Sequence, residues 1–391
     1  MRPALKSGLL PLWRDRDTLQ IGVDPRRAIA LSGMGQLAFL IGLLDGSRDR
    51  DQVVAAAARQ GVPPRVTERV LTVLAAGGAL DDFPASTLRA LPAPLRTRLS
   101  AELATASLAY RDSDGGARFL ARRRTAVVVI EGDRHIGRGI ARILRAAGVT
   151  GIRPELSRSG RADLVILVGR PPRALPDRLV RERTAHLAVS AGEAIGVVGP
   201  LVVPGQTACL RCLDHARAAS DPAWPLILAQ LDARRPDPPA CDAVLTAAVA
   251  AQAAAQALIA IDTSPANSGA AGGTLELVLP DWRWRRRVWA PHPACTCGTV
   301  RTGPRPGTIS VLASARRAAI RNAKSQRPLP PARTPAPRDA AARSGSAMCQ
   351  PRRSVTDNRD HERSAAPRRN QDGEASDPAR RTGGQDRSRL R

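Results

Sequence analysis

Aromatic residues are scarce: three Phe, five Trp and one Tyr in 391 residues. Proteins that hold single-stranded nucleic acid stack its bases on aromatic rings, and no platform of that kind is visible here. A charged, then apolar, then small-residue signal is also missing from the N-terminus. The chain is therefore expected to be cytoplasmic, with its six cysteines serving as metal ligands or reactive thiols rather than as a disulfide framework. Apolar runs of membrane-spanning length that are rich in Leu and Phe are absent as well. The longest apolar stretch, 243–262, is Ala-rich and bounded by Asp242 and Asp262. That is the pattern of a buried helix, and no membrane span is expected. Acidic residues are the minority charge. Of the net charge of +25, +13 falls within residues 301–391. That segment is Arg, Pro, Ser and Gly without apolar period, so it is expected to be a disordered basic tail. Any contact it makes with nucleic acid would be non-specific and salt-dependent.

Three further regions precede the tail. Residues 1–85 read as two short strands, 18–23 and 27–31, joined by Asp24-Pro25 and followed by helices near 36–44, 49–60 and 67–76. Two or three strands with three helices is a winged-helix pattern. Residues 86–120 are a Pro- and Arg-containing connector. Residues 121–300 alternate strands and helices. Continuous apolar runs at 125–130 and 163–168 are those of strands buried on both faces. Further strands are expected at 149–153, 186–190, 196–201 and 275–288. The fold class is α/β: a Rossmann-like, doubly wound parallel sheet with a small α+β winged-helix module in front and the tail behind.

Cys209 and Cys212 form a Cys-x2-Cys pair after a Pro-Gly turn, and Cys295 and Cys297 a Cys-x-Cys pair before Gly298. Two close pairs beside turns, at the margins of one domain, are the spacing of a structural zinc site with four thiolates. Strand 125–130 runs into Glu131-Gly132-Asp133-Arg134-His135-Ile136-Gly137. Gly132 and Gly137 occupy the first and third glycine places of a dinucleotide turn, Arg134 the second, and Glu155 the place of an acidic ribose ligand. Two readings stay open: a nucleotide site, or a turn of that shape that binds none, with Glu155 a solvated charge. Cys241 precedes the 243–261 helix, whose dipole lowers a thiol pKa. It is a candidate nucleophile, or a small residue at the end of a buried helix.

The Gly132 turn, the stretch Gly199–Cys212 and the block His292–Cys297 together resemble the ThiF/MoeB family of ubiquitin-activating-like enzymes over about 121–300. The resemblance implies structural Zn2+, and ATP with Mg2+ as the family's adenylation cofactors. It also implies a carrier-protein C-terminus as substrate, and puts Cys241 near the reactive cysteine of some members. This chain departs from the pattern. Asp163 lies only eight positions after Glu155, which leaves no room for the family's ATP-gripping segment, and no carboxylate follows Val168-Gly169-Arg170. Phosphoryl chemistry needs such charge-handling groups. Residues 1–85 resemble the winged-helix leader-peptide recognition module, with Ile29, Leu31, Val66, Val70 and Val73 as the groove that takes an extended peptide. The combination resembles the scaffold partner of azoline-forming cyclodehydratases in ribosomal peptide biosynthesis. The expected partners are a precursor leader peptide and a YcaO-type modifying enzyme, with homodimerisation a further possibility. The competing readings are an active adenylyltransferase and a nucleic-acid-binding protein acting through its tail.

Overall fold

Short strands open the chain because its first 31 residues break every few positions at Pro, Gly or Asp. The computed structural model describes residues 1–83, 86–156, 160–233 and 240–298; the expected tail, with Cys349, lies outside the described residues. Strands β1 (Pro3–Leu5), β2 (Pro11–Trp13), β3 (Leu19–Ile21) and β4 (Ile29–Leu31) are followed by helices α1 (Phe39–Gly42), α2 (Arg50–Ala58) and α3 (Pro64–Ala76), then β5 (Leu80–Asp82). β2, β3 and β4 form an antiparallel meander, and β1 pairs with β5. The sequence reading held two strands here. The others are three residues long and begin at Pro3, Pro11 and Leu80, too short to show alternation. Asp49 starts α2 with a capping box shared with Gln52, and Pro64 opens α3 where its missing N–H costs nothing. Leu19, Ile21, Leu31, Val53, Leu71 and Leu74 close the core between sheet and helices.

The connector is helical: α4 (Ser86–Arg89), α5 (Ala93–Arg98), α6 (Ser100–Tyr110) and α7 (Ala117–Thr125). Buried charges tie it to both sides. The Lys6 ammonium, 1% exposed, donates to the Ser107 carbonyl (3.0 Å) and hydroxyl (2.6 Å) and pairs with Asp81 (3.2 Å). Arg123 on α7 grips the carboxylate of Asp262 through Nε (2.8 Å) and Nη2 (2.6 Å).

Seven strands form the main sheet: β6 (Val127–Gly132), β7 (Gly151–Arg153), β8 (Leu164–Val168), β9 (His186–Gly192), β10 (Ile195–Val202), β11 (Gly273–Val278) and β12 (Arg283–Val288). Their order is β12-β11-β10-β9-β8-β6-β7. β6 to β9 are parallel, but β9–β10, β10–β11 and β11–β12 are antiparallel. The expected all-parallel sheet is therefore corrected to a mixed one. The reason is local: β9 and β10 are joined by Glu193-Ala194, both left-handed (φ 53° and 58°). A two-residue hairpin turn of that shape normally carries Asn-Gly, so Glu-Ala hides it from the sequence.

Helices α8 (Arg134–Ala146) and α12 (Ala243–Asp262) cover one face of the sheet. Ile140, Leu144, Val249 and Ala253 pack there on Val128, Ile166, Val189 and Val198. The alternate strand residues, Val129, Val165 and Leu167, face α9 (Ala174–Arg181) through Leu179. Helices α10 (Leu210–Ser220) and α11 (Trp224–Ala233) follow β10. α12 is long and apolar enough to cross a membrane. Here Leu245, Val249, Ala250, Ala253, Ala254, Ala257 and Ala260 are buried on the sheet, as the Ala-rich composition leads one to expect of a core helix.

Candidate functional site

The four cysteines meet beyond the end of β10. Val203 N–H donates to the Thr207 hydroxyl (2.8 Å), Thr207 N–H to the Val203 carbonyl (3.0 Å), and Gly205 takes φ +80°. This turn delivers Cys209 to the first residue before α10 and Cys212 into its first turn. A second turn, closed by Cys295 N–H to the His292 carbonyl (3.0 Å) and by Gly298 at φ +72°, brings in Cys295 and Cys297. The Sγ separations are 3.7 Å for Cys209–Cys212, 3.6 Å for Cys209–Cys295 and 3.7 Å for Cys212–Cys297. All four sulfurs lie within 4.8 Å of one another. A tetrahedron with metal–sulfur bonds of about 2.3 Å puts its sulfurs about 3.8 Å apart, whereas a disulfide needs about 2.05 Å. The donor set fits a metal ion held by four thiolates. Cys209 and Cys212 are buried under Trp289, Val202 and Leu213. The hydrogen bond between these two pushes the Cys209 thiol up and holds the Cys212 thiol down, while burial raises Cys295. Arg211 locks α10 to α9 through a bidentate pair with Asp177 (2.7 and 2.6 Å).

The β6–α8 turn brings Gly132, Gly137 and Glu155 to one cleft of about 680 Å³, which Arg134, Arg138, Arg145 and Arg153 also line. Each glycine has a packing reason. Gly132 sits at φ +112°, and a Cβ there would lie 2.0 Å from the Val168 carbonyl oxygen; at Gly137 a Cβ would lie 3.3 Å from Ile130 Cγ2. The residue missed from the sequence is Asp133. Its Oδ1 accepts from His135 N–H (2.7 Å) and Ile136 N–H (3.2 Å). A phosphate bound at a helix N-terminus uses those amides. The signal was present: Asp immediately before an apolar-periodic helix is a capping residue.

Cys241 stands apart from the cysteine group. It is half-buried against the sheet core, its Sγ 3.2 Å from Thr246 Oγ1. The neighbouring Asp242 accepts from Leu245 N–H (2.7 Å) and so fills the α12 N-terminus with its own carboxylate. In the N-terminal unit Leu31 is buried in the core, Ile29, Val66 and Val70 are half-buried, and Val73 is 38% exposed. Ile29 leans over the end of α3, where a Cβ on Gly77 would lie 2.2 Å from Ile29 Cδ1.

No family model matches the chain, and no curated protein matches its sequence. Its shape does have solved counterparts. The heterocyclase TruD aligns with a TM-score of 0.57 at 19% identity, over 76% of this chain and 43% of that one. A heterocyclase in complex with substrate and cofactor aligns at 0.58 and 17% identity, over 76% of this chain and 39% of that one. E. coli MccB with AMPCPP and selenomethionine MccA aligns at 0.56 and 15% identity, over 76% of this chain and 100% of that one. The chain thus spans well under half the length of the two heterocyclases. At these identities, what it shares with all three is the fold.

Proposed function

We propose that the chain is a non-catalytic, peptide-presenting scaffold. Its N-terminal unit takes the leader of a ribosomal precursor peptide as an added strand. Its ThiF-like, Rossmann-type domain, stiffened by one zinc ion on Cys209, Cys212, Cys295 and Cys297, docks with a separate azoline-forming enzyme of the YcaO type. The observation that carries this reading is Asp133. Its carboxylate occupies the α8 amides that a phosphate needs, so the fold of an adenylating enzyme lacks its phosphate seat. The fold shared with TruD supports the cyclodehydratase setting. Peptide capture is supported by β4, an edge strand of its meander, beside the half-buried Ile29, Val66 and Val70. An added strand gains main-chain hydrogen bonds there, and the groove gives selectivity.

Calorimetry of the full chain with leader peptides encoded nearby tests this. Micromolar affinity, about 8 kcal/mol, is expected. Val73→Asp should lower it at least about tenfold without unfolding, because Val73 is already 38% exposed. An intact protein that ignores every such leader sinks the proposal. An active adenylyltransferase is the second reading, favoured by the roomy cleft and by MccB, which has been solved with ATP. ATP–pyrophosphate exchange driven by a carrier protein would establish it in place of the first.

A further inference from the structure

A second pocket opens on the sheet face opposite α12. Its floor is Leu167, Ala188, Ser190 and Val197, which alternate with the core residues Ile166, Val189 and Val198 under α12. A register shift between Val198 and Leu201 interrupts the β9–β10 ladder here. Gly199, at φ +112°, lets β10 approach β11 so closely that a Cβ would lie 2.4 Å from the Gly273 carbonyl oxygen. α10 and the loop after β8 complete the pocket, which holds about 170 Å³.

Its charges do not balance. Arg170, Arg173 and Arg217 line it, against Asp214 alone. Asp214 is already engaged: Arg173 pairs with it at 2.5 Å, the Trp224 indole N–H donates at 3.3 Å, and Arg217 stands at 3.9 Å. Arg217 is pinned between rings, its guanidinium 4.9 Å from the centre of Trp224 and 5.6 Å from that of Trp289. Arg287 adds a further cation on the Trp289 ring at 4.2 Å. The nearby Glu276 accepts the Thr274 hydroxyl at 2.7 Å. Arg170 has no ion pair among the described residues. Burial holds Arg217 below the usual arginine value. Asp214 and Glu276 oppose that, and Arg170 and Arg287 add to it. A guanidinium is not deprotonated in proteins, so the site carries positive charge that the described residues leave uncompensated.

We propose that this pocket binds one oxyanion, a terminal carboxylate or a phosphate, through ion pairs from Arg170 and Arg217 and a hydrogen bond from the Ser190 hydroxyl. Sites for drug-sized ligands run from about 300 Å³ upward, so the smaller volume here takes an end group and excludes a whole nucleotide. The site is separate from the Gly132 cleft and from the β4 edge, and it does not depend on the scaffold reading.

The test is calorimetry of the full chain with three probes: inorganic phosphate, N-acetyl-glycylglycine, and the C-terminal amide of that dipeptide. At least one of the two anions is expected to bind, and the amide is not. Arg170→Ala removes an exposed, unpaired side chain and should leave the fold intact, as checked by melting temperature. It should weaken the anion about tenfold, the size of one charge-assisted hydrogen bond. Arg138→Ala, in the Gly132 cleft, should change nothing. Binding of the carboxylate alone identifies a peptide end as the ligand; binding of phosphate alone identifies a phosphate source. The proposal is overturned if neither anion binds, if the amide binds as well as the acid, or if Arg170→Ala leaves the affinity for the anion unchanged.

Discussion

Beyond β10 two turns gather four sulfurs at 3.6–3.7 Å spacing, while at the end of β6 one turn gathers two glycines whose open sides face protein backbone and side chain. Both regions announce themselves in the sequence through a short pattern. They differ in what the pattern is made of. A cysteine contributes the ligand atom itself, and four of them converging across 85 residues and more have little reason to do so except a shared cation. A glycine contributes an absence, and that absence serves any close neighbour. At Gly132 the neighbour is the Val168 carbonyl. The phosphate seat beside it is taken by Asp133, whose Oδ1 lies 2.7 Å from the His135 amide nitrogen.

The largest expected effect lies on the cysteine side. Cys212→Ser should strip the metal and unfold the region that the turns clip together, since structural zinc contributes on the order of 10 kcal/mol to small zinc domains. Elemental analysis should find about one zinc per wild-type chain and almost none in the variant. A metal-free wild type, prepared reduced, would remove one side of the comparison altogether.

Acid probes the sheet on which both regions are mounted. His186 begins β9, fully buried, with Nδ1–H donating to the Thr184 carbonyl at 3.0 Å and Nε2 without a partner among the described residues. Burial lowers its pKa from 6.5 to about 4. Because the folded value is depressed, its contribution to stability is complete above about pH 6.5 and is lost as pH falls towards 4, by about 3 kcal/mol in all. Thiolates also release metal on protonation. Denaturant melts of wild type and His186→Leu across that range separate the two: the variant should keep only the part that comes from the metal.

Gly132→Ala sharpens the other side. Its Cβ would meet the Val168 carbonyl oxygen at 2.0 Å from a left-handed backbone, so a loss of at least about 2 kcal/mol is expected. Mg-ATP binding should stay as weak as in wild type. A variant that melts normally and loses nucleotide binding would show that the glycine serves a ligand.

The smallest change is Asp133→Ala. Losing the cap costs about 1 kcal/mol, and it frees the His135 and Ile136 amides for an anion. Calorimetry should then show phosphate or Mg-ATP binding more tightly than to wild type. Micromolar Mg-ATP binding to the unaltered protein would dissolve the contrast between the two regions.

Much of the sheet domain was legible because its signals are local. The apolar runs at 125–130 and 163–168, the Ala-rich α12 and the Asp49 start of α2 are each read from adjacent residues. The direction of β10 was not, since it turns on Glu193-Ala194 adopting φ values that neither residue advertises. Helices α9, α10 and α11 were missed. Of these, α10 starts after Cys209 with no side-chain cap and carries Cys212 in its first turn, so no capping residue marks its start. Leu31, proposed from its alternation as a groove residue, is 6% exposed. Alternation marks which strand face is apolar, but not whether a helix already covers it.

The sequence by itself determined the ligand chemistry: four thiols in two pairs, a glycine turn with Arg134 in it, and an excess of arginine over acid. Only the tertiary structure decided where those charges and donors stand. Asp133 closes the α8 N-terminus because its backbone is held by the Val168 carbonyl of a strand more than thirty residues away (3.0 Å). Arg170 and Arg217, 47 positions apart, share one pocket because β8 and α10 meet over the same face of the sheet. Electrostatic interaction depends on separation in space, and distance along the chain does not encode it.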